Sequence, residues 1–198
     1  MKTRSLLTVL LVPFGTASSA RIPAQEAPQR PFEETGERGN CRIFFWGTNR
    51  SGGQVRVEYG RPVWKDSYDG FVDDVRDRRW RLGQNFWTSL DTNMPLKVGG
   101  LELEPGLYYL ALEHQRDGRF VLLFLDPQEM RDLKLDAFQV DETDSGSEAP
   151  LAYQKSPIQS GRLTLFLKTE PLKPCTAVLQ IHFGNHLLST SMEMHPDP

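Results

Sequence analysis

The stretch of residues 107–125, LYYLALEHQRDGRFVLLFL, decides the fold class of this 198-residue chain. It contains two apolar runs of the length that is typical of β-strands, at residues 107–113 and 120–125. The second run, FVLLFL, does not alternate between polar and apolar residues. A strand of that kind is covered on both faces, so we expect it at the centre of a sheet.

Further strands are predicted on both sides of this stretch. Residues 42–46 and 54–59 are expected to form a hairpin, and in the second strand Val55, Val57 and Tyr59 alternate with polar residues. Additional strands are expected at residues 86–91, 96–103, 162–168, 177–183 and 186–190, the second of them interrupted by Gly99 and Gly100. About nine strands with turns roughly every ten residues predict a mostly β protein, an antiparallel β-sandwich or open barrel.

Turn and helix signals complete this outline. Glu104-Pro105-Gly106-Leu107 favours a type II turn, and Gly184-Asn185 favours a two-residue type II′ turn between the last two strands. Asp126-Pro127-Gln128-Glu129 suits the start of a helix, so one short helix is predicted to run to Leu133. Residues 141–150 are expected to form an acidic loop.

The N-terminus predicts export. Lys2 and Arg4 precede an apolar run at residues 5–14, and small residues lead to a cleavage site after Ala20. The alternative is a buried N-terminal strand or helix. We therefore expect a signal peptide at residues 1–20, a flexible leader at 21–39, a single β-sandwich domain at 40–192 and a frayed tail at 193–198. The mature protein is expected to be extracytoplasmic, in the periplasm or secreted, and not to span the membrane.

Charge and cysteine content narrow the choice of partners. The formal net charge is -3, so there is no basic excess to bind nucleic acid. Cys41 and Cys175 match no metal-binding spacing, and in an oxidising compartment they are predicted to form one disulfide. The alternative is two free thiols. No cofactor is predicted, and the sequence identifies no protein partner.

Two groups of side chains could hold a metal ion. His182 and His186 would face each other across the predicted turn, within chelating distance. Two edge histidines without a metal are favoured, because no third ligand is evident. Ca²⁺ could bind three acidic residues of the predicted loop, although a solvated loop is favoured because the spacing is not that of an EF-hand: Asp141, Asp144 and Glu148.

Residues 61–87 combine charged and aromatic side chains. Five acidic residues are interleaved with arginines, which favours mutual neutralisation on a surface loop over catalytic carboxylates: Asp66, Asp69, Asp73, Asp74 and Asp77. Aromatic residues in and around this segment could stack on a flat ligand or fill the core: Trp46, Tyr59, Trp64, Tyr68, Trp80 and Trp87. No G-x-S-x-G nucleophile motif occurs.

Three motifs follow one another in the centre of the chain. They are Tyr59-Gly60-Arg61-Pro62, then Trp80-Arg81-Leu82-Gly83-Gln84-Asn85 followed by Thr88, and finally GGLELEPGLYYL at residues 99–110, which includes Gly106 and Tyr108. Their order and spacing resemble a bacterial family of exported proteins, domain of unknown function 2911, most closely over residues 54–113. The resemblance implies an extracytoplasmic β-sandwich-like domain and implies no activity.

The glycines of the first two motifs predict tightly packed loops. In these loops Arg61 and Arg81 are expected to bind loop carbonyls or a nearby Asp, while their stems pack on an aromatic ring. The competing hypothesis is that Arg81 and Asn85 grip an anionic ligand. The predicted function is a non-catalytic binding or structural module. The alternatives are a hydrolase or metal-dependent enzyme that uses the loop at 61–85, and a periplasmic assembly factor that offers a sheet edge to a partner.

Overall fold

A computed structural model describes residues 36–46 and 52–196 of the chain. The predicted signal peptide and most of the predicted leader lie outside these residues. Within them the protein is mostly β, as predicted, and all strand pairs of the sheet are antiparallel. Among the described residues, no helix has the length and apolar character that crossing a bilayer requires.

The described residues form ten strands and four short helical segments. The strands are β1 (Arg38–Trp46), β2 (Gly52–Gly60), β3 (Arg78–Arg81), β4 (Thr88–Thr92), β5 (Leu96–Val98), β6 (Leu101–Leu103), β7 (Gly106–His114), β8 (Phe120–Leu125), β9 (Ser147–Glu170) and β10 (Lys173–Met194). The helices are α1 (Phe71–Asp74) and α2 (Pro127–Asp132), with 3-10 segments at Asp66–Tyr68 and Ala137–Glu142.

The strands follow the order β1-β2-β4-β7-β8-β9-β10-β5-β6, and β3 also pairs with β7. Strand β9 belongs to two sheets: its first residues, 147–151, pair with β8, and residues 152–169 pair with β10. The inner faces of the two sheets share the main hydrophobic core, to which Leu110 of β7 and Leu179 of β10 both contribute. This arrangement is consistent with the predicted sandwich or open barrel.

Strand β8 lies at the centre, as its uninterrupted apolar sequence predicted. All six of its residues are buried. Phe120, Leu122 and Phe124 face the main core. The alternate residues Val121, Leu123 and Leu125 pack in a second cluster with Met130 of α2 and with Val140. A strand has two faces, and here each face finds its own apolar cover.

Helix α2 confirms the predicted helix start. The side chain of Asp126 accepts a hydrogen bond from the backbone N–H of Gln128 at 2.7 Å, with Pro127 in the first turn, and Leu133 caps the end. Sequence reasoning missed the other three helical segments. Each of them has at most six residues, which is too short for an apolar periodicity to be recognised.

Strands β3 and β4 act as one interrupted strand along β7. Residues 111–114 of β7 pair with β3, and residues 106–110 pair with β4. The intervening residues 82–87, which carry most of the second motif, therefore leave the sheet as a loop between two segments that are held in line. This loop is the part of the fold that brings the motifs together.

The predicted hairpin around Gly184-Asn185 is wrong. Strand β10 continues through both residues and pairs with β9 on either side, His182 opposite Thr164 and His186 opposite Lys155. The register shifts at Gly184, whose φ is 58°. A glycine with positive φ suits a β-bulge as well as a tight turn, so the dipeptide alone could not separate the two.

Other predicted boundaries shift for similar reasons. Gly106 opens β7 opposite Thr92 and lacks a positive φ, so the predicted type II turn is not formed. The predicted acidic loop at 141–150 is divided between the second 3-10 segment and the start of β9. Strand β1 begins two residues before the predicted domain start at Asn40. Strand β10 runs to Met194, which is buried, and His195 then donates its backbone N–H to Pro95 at 3.0 Å.

Candidate functional site

The first two motifs meet through their glycines. A side chain at Gly60 would overlap the backbone carbonyl of Gln84. A Cβ at Gly83, whose φ is 99°, would lie 2.8 Å from the carbonyl oxygen of Gly60. Thr88, which is buried, donates its hydroxyl to the carbonyl of Leu82 and so closes the loop. The expectation of tightly packed loops is therefore met at both glycines.

Arg61 fixes the first loop to strand β9 and to the segment before β1. Its Nε donates to the carbonyl oxygen of Leu163 at 3.3 Å, and its guanidinium forms an ion pair with Glu37. Binding to a loop carbonyl was predicted, whereas the carbonyl observed belongs to a residue of strand β9. The predicted Asp partner was wrong, because the acid that lies beside Arg61 in space precedes it by 24 residues in the chain.

Arg81 does not bind loop carbonyls as predicted. Its guanidinium stacks on the ring of Phe138, with the central carbon 3.6 Å from the ring centroid. One of its terminal nitrogens, Nη1, is buried and has no hydrogen-bond partner in the described part of the chain. Burial lowers the pKa of Arg81, and the nearby charge of Asp136 opposes that shift. A contact with an aromatic ring was expected for the stem of this side chain, and the structure makes it with the guanidinium instead.

Arg79 plays the structural role that was expected of Arg81, and sequence reasoning missed it. Its Nε donates to Glu113 of β7 at 2.7 Å. Its Nη1 donates to the carbonyl oxygens of Thr143 and Ser145 at 2.8 and 2.9 Å. Because Arg79 and Glu113 are directly opposite in the β3–β7 pair, their relation could be found only once the register was known.

The third motif lies apart from the first two. Tyr108 donates its hydroxyl to the carbonyl of Glu104 at 2.8 Å and packs edge-on against Phe124. Tyr109 stacks on Trp87, with ring centroids 4.9 Å apart. No residue of this motif lines the cavity described next. The motif forms strand β6 and the first part of strand β7.

A cavity of about 330 Å³ opens beside the two packed loops. Its walls come from strands β3, β7, β8, β9 and β10, from α1 and the 3-10 segment before it, and from loop residues after β2, α1 and β3. Most of its lining side chains are apolar, and six of them carry rings: Tyr68, Trp80, Phe120, Tyr153, Phe183 and His186. Gly83 of the second motif and Pro62 of the first also line it. The loop contact therefore shapes part of this cavity.

The other predicted aromatic residues have different roles. Trp64 is 8% exposed and packs behind the cavity wall, with its ring centroid 4.9 Å from that of Phe183 and 5.6 Å from that of His186. Tyr59 is buried in the main core. Trp46 is 87% exposed at the end of β1. Of the predicted set, Tyr68 and Trp80 line the cavity. Tyr59 and Trp64 are buried, and stacking on a flat ligand stays a prediction.

His186 supplies an unsatisfied polar atom in the cavity wall. Its Nδ1 lies 2.9 Å from the hydroxyl of Tyr153. Within residues 36–46 and 52–196, its buried Nε2 makes no hydrogen bond, and neither does the buried Nε1 of Trp64. Burial lowers the pKa of His186 and the charge of Lys155 lowers it further, while the charge of Asp69 raises it. The imidazole is therefore neutral at neutral pH.

A second histidine holds the cavity wall in place. His114 is buried and stacks on Phe120, with ring centroids 4.0 Å apart. Its Nδ1 lies 2.8 Å from the carbonyl oxygen of Val72 in α1, and since a carbonyl only accepts, this nitrogen carries the proton. This bond ties α1, whose Val72 lines the cavity, to the central strands.

The predicted histidine pair does not form. His182 and His186 lie on one strand, and His182 donates from Nε2 to the carbonyl of Ile158 at 3.0 Å. In the part of the chain that the structure describes, no three His, Cys, Asp or Glu side chains are grouped so that they could hold a metal ion. At Glu148, one of the three acidic residues considered and not favoured as Ca²⁺ ligands, the guanidinium of Arg79 lies 3.9 Å away and supplies a positive charge.

The acidic residues after the first motif are mostly exposed, as predicted. Within the segment, Arg76 pairs with Asp73 at 3.4 Å. The other pairs reach outside it: Asp77 pairs with Arg116 at 2.7 Å, and Arg79 pairs with Glu113. Mutual neutralisation is therefore only part of the explanation, because strand β7 and its turn supply the remaining partners.

The predicted disulfide is absent, and Cys41 and Cys175 are free thiols. Cys41 is half-buried and packs against the main core. Burial raises the pKa of Cys41 to about 11, against the opposing effect of a hydrogen bond with the backbone of Leu167. Cys175 is exposed near the start of β10. An even cysteine count permitted a bond, but the count carries no information on which way each side chain points.

The chain matches no protein-family model, no curated protein and no solved structure. The resemblance to domain of unknown function 2911 therefore stays a prediction that rests on the three motifs.

Proposed function

We propose that this protein is an extracytoplasmic, non-catalytic binding module that takes a small, largely apolar ligand into the aromatic cavity. The observation that carries the proposal is a cavity lined mostly by apolar side chains, six of them with rings, in whose wall His186 and Arg81 each hold a buried polar atom that has no partner among the described residues. Small-molecule sites are typically apolar concavities in which a few polar groups fix the orientation of the ligand.

The size and lining of the cavity agree with this role. Its volume of about 330 Å³ lies at the lower end of the range for small-molecule sites. Five of its six rings come from strands β3, β8, β9 and β10, and the sixth, Tyr68, comes from a 3-10 segment. A cavity of rigid walls needs little reorganisation on binding, which favours affinity.

The lining supports binding over hydrolysis. The described side chains that face the cavity include no Asp, Glu, Cys, Ser or Lys. A nucleophile or a carboxylate pair would be needed beside His186 for the hydrolase alternative. That alternative and the assembly-factor hypothesis gain no supporting observation from the described residues.

The proposed location rests on the N-terminal sequence pattern. Intact-mass measurement of the protein recovered from its host tests it. A mass that begins at or near Arg21 supports export, and a retained segment 1–20 contradicts it. Membership of the domain of unknown function 2911 family is likewise a proposal from the sequence, based on the three motifs. The contact that the first two motifs make through Gly60 and Gly83 supports it.

Fluorescence titration of the purified protein with N-phenyl-1-naphthylamine tests the binding site. This probe is neutral and apolar and brightens when it leaves water. We expect saturable binding that Val72→Trp abolishes, because the larger side chain fills the cavity that Val72 lines. Leu107→Trp is the matched control, since Leu107 is exposed on β7 away from the cavity. Binding that Val72→Trp leaves unchanged contradicts the proposed site.

A further inference from the structure

We infer that the ligand of this cavity carries one negative charge, as a small monocarboxylate with an apolar ring body does, and that Arg81 supplies the positive charge that balances it. The inference rests on the proposed function and names the chemical class that the same site selects. It follows from the charges of the lining, from the surroundings of the Arg81 guanidinium and from the contrast with Arg79.

The lining of the aromatic cavity carries a positive charge. Among the described residues that form it, Arg81 is the one side chain that is ionised at neutral pH, because the lining includes no Asp, Glu or Lys and His186 is neutral. An anion therefore meets no repelling carboxylate in this wall. In surroundings of low polarity charges attract each other more strongly than in water, which favours a ligand of the opposite sign.

Arg81 lies at the boundary of two cavities. A second cavity, of about 280 Å³, has Trp80 and Arg81 in common with the aromatic cavity. Its other lining residues include two further arginines, Arg78 and Arg79, and one acid, Asp141. Positive side chains therefore outnumber negative ones in the described lining of both cavities.

The guanidinium of Arg81 has hydrogen bonds left to make. In the part of the chain that the structure describes, it forms no ion pair, and its buried Nη1 has no partner. Phe138 covers one face, with the central carbon 3.6 Å from the ring centroid. Guanidinium N–H groups donate within the plane of the group, so a ring on its face does not occupy them. Asp136, whose charge acts on Arg81, accepts from the backbone N–H of Phe138 at 2.8 Å.

Arg79, two residues earlier on the same strand, shows the bonds of a structural arginine. It pairs with Glu113 and donates to two backbone carbonyls. A partly buried cation without such partners raises the free energy of the ligand-free protein. Burial lowers the pKa of Arg81, against the effect of Asp136, so part of the hydration of this charge is already lost. A carboxylate recovers that cost, because it can accept two parallel hydrogen bonds from a guanidinium.

The number of charges favours a monoanion. The sequence left open whether Arg81 and Asn85 bind an anionic ligand together, and Asn85 is not among the described lining residues of either cavity. One cation in a mostly apolar lining can balance one negative charge. A dianion such as a phosphate monoester would keep an unbalanced charge in apolar surroundings, which is costly.

Isothermal titration calorimetry at neutral pH compares two probes of one shape, the anion 2-naphthoate and the neutral 2-naphthamide. We expect the wild-type protein to bind 2-naphthoate about tenfold more tightly, the difference between a charge-assisted and a neutral hydrogen bond. Arg81→Met should abolish this preference and keep the binding of 2-naphthamide, because methionine can still pack on Phe138. Arg78→Met is the matched control and should keep the preference, because Arg78 is exposed on the same strand and lines only the second cavity.

The outcomes distinguish the binding site from the ligand class. If the wild-type protein binds neither probe and does not bind N-phenyl-1-naphthylamine, the proposed function fails. If only N-phenyl-1-naphthylamine binds, or if 2-naphthamide binds at least as tightly as 2-naphthoate, the cavity is a binding site and the inferred ligand class is wrong. This comparison requires no variant to fold. If Arg81→Met keeps the preference, or if Arg78→Met loses it, Arg81 is not the source of the balancing charge.

Discussion

The two faces of strand β3 differ in whether the buried polar groups beside them are hydrogen-bonded. On the outer face, Arg79 makes three hydrogen bonds, to Glu113 and to two loop carbonyls. On the inner face, Trp80 lines a cavity in whose wall His186 has a buried nitrogen without a partner among the described residues. The hydrogen bonds of Arg79 are made within the chain, whereas the nitrogen of His186 has none in the described structure.

The hydrogen bonds of a buried polar group therefore separate a structural residue from one that is available to a ligand. A buried donor whose bonds are all made inside the chain stabilises one arrangement. A buried polar atom without a partner costs stability, and a ligand can recover that cost. Arg81 lies between the two cases, because it has an aromatic partner in Phe138 and an unsatisfied Nη1.

The largest effect is expected where the loop that follows β3 packs on the first motif. Gly60→Ala places a methyl group against the backbone carbonyl of Gln84, which cannot move without displacing the loop. We expect the free energy of unfolding to fall by more than about 3 kcal/mol, at the upper end for overpacking. Urea denaturation measures it. Gly161→Ala is the control, because nothing lies within 4 Å of its added carbon, and it should change stability by less than about 0.5 kcal/mol.

A smaller loss is expected on the outer face of β3. Arg79→Met keeps an apolar stem but leaves Glu113 and two carbonyl oxygens without their donor. The side chains of Arg79 and Glu113 are 13% and 19% exposed, so we expect a loss of about 3 kcal/mol. Arg78→Met at the exposed neighbouring position is the control. If both variants unfold at the same urea concentration, the network around Arg79 does not stabilise the protein.

The same substitution at Arg81 should have much less effect. Arg81→Met removes a desolvated charge and an unsatisfied nitrogen, and it can still pack on Phe138. We expect a change of less than about 1 kcal/mol in either direction, because the lost cation–π contact and the relieved desolvation oppose each other. Thermal unfolding of Arg81→Met, measured side by side with that of Arg79→Met, tests this difference. A loss as large as that of Arg79→Met would mean that Arg81 is also structural.

The smallest effect is a dependence of stability on pH that originates in the cavity. Because the pKa of His186 is lowered from 6.5 by burial and by Lys155, against the effect of Asp69, the unfolded chain binds the proton more readily than the folded protein. The free energy of unfolding should therefore fall as pH drops from 6.5 towards the lower pKa of the folded state. Denaturation at pH about 7.5 and about 5 tests this. We expect His186→Phe to reduce the fall and His182→Phe to keep it.

The sequence predicted those features that depend on neighbouring residues. The six apolar residues of β8 required cover on both sides, and the Asp-Pro pair at 126–127 required a helix start. Gly60 and Gly83 predicted close backbone contacts, but the sequence did not show that these two residues contact each other. In each case the physical requirement can be stated from a few adjacent residues.

The missed features depend on pairs that lie far apart in the chain. Gly184 was compatible with a turn and with a bulge, and only the length of β9 opposite decides for the bulge. The cavity brings together Trp80, Phe120 and His186 from three separate strands. The orphan nitrogen of His186 is a property of its surroundings, which local sequence does not specify. In all these cases the sequence does not specify the strand register, which decides which distant residues lie opposite each other.

Strand β9 makes the two sheets depend on each other when the protein unfolds. Its first residues complete the sheet that contains β8, and the remainder forms most of the other sheet with β10. If β9 detaches, β8 loses a neighbour and β10 loses nearly its whole partner at the same time. We therefore expect the described domain to melt in a single cooperative transition, with both sheets lost together.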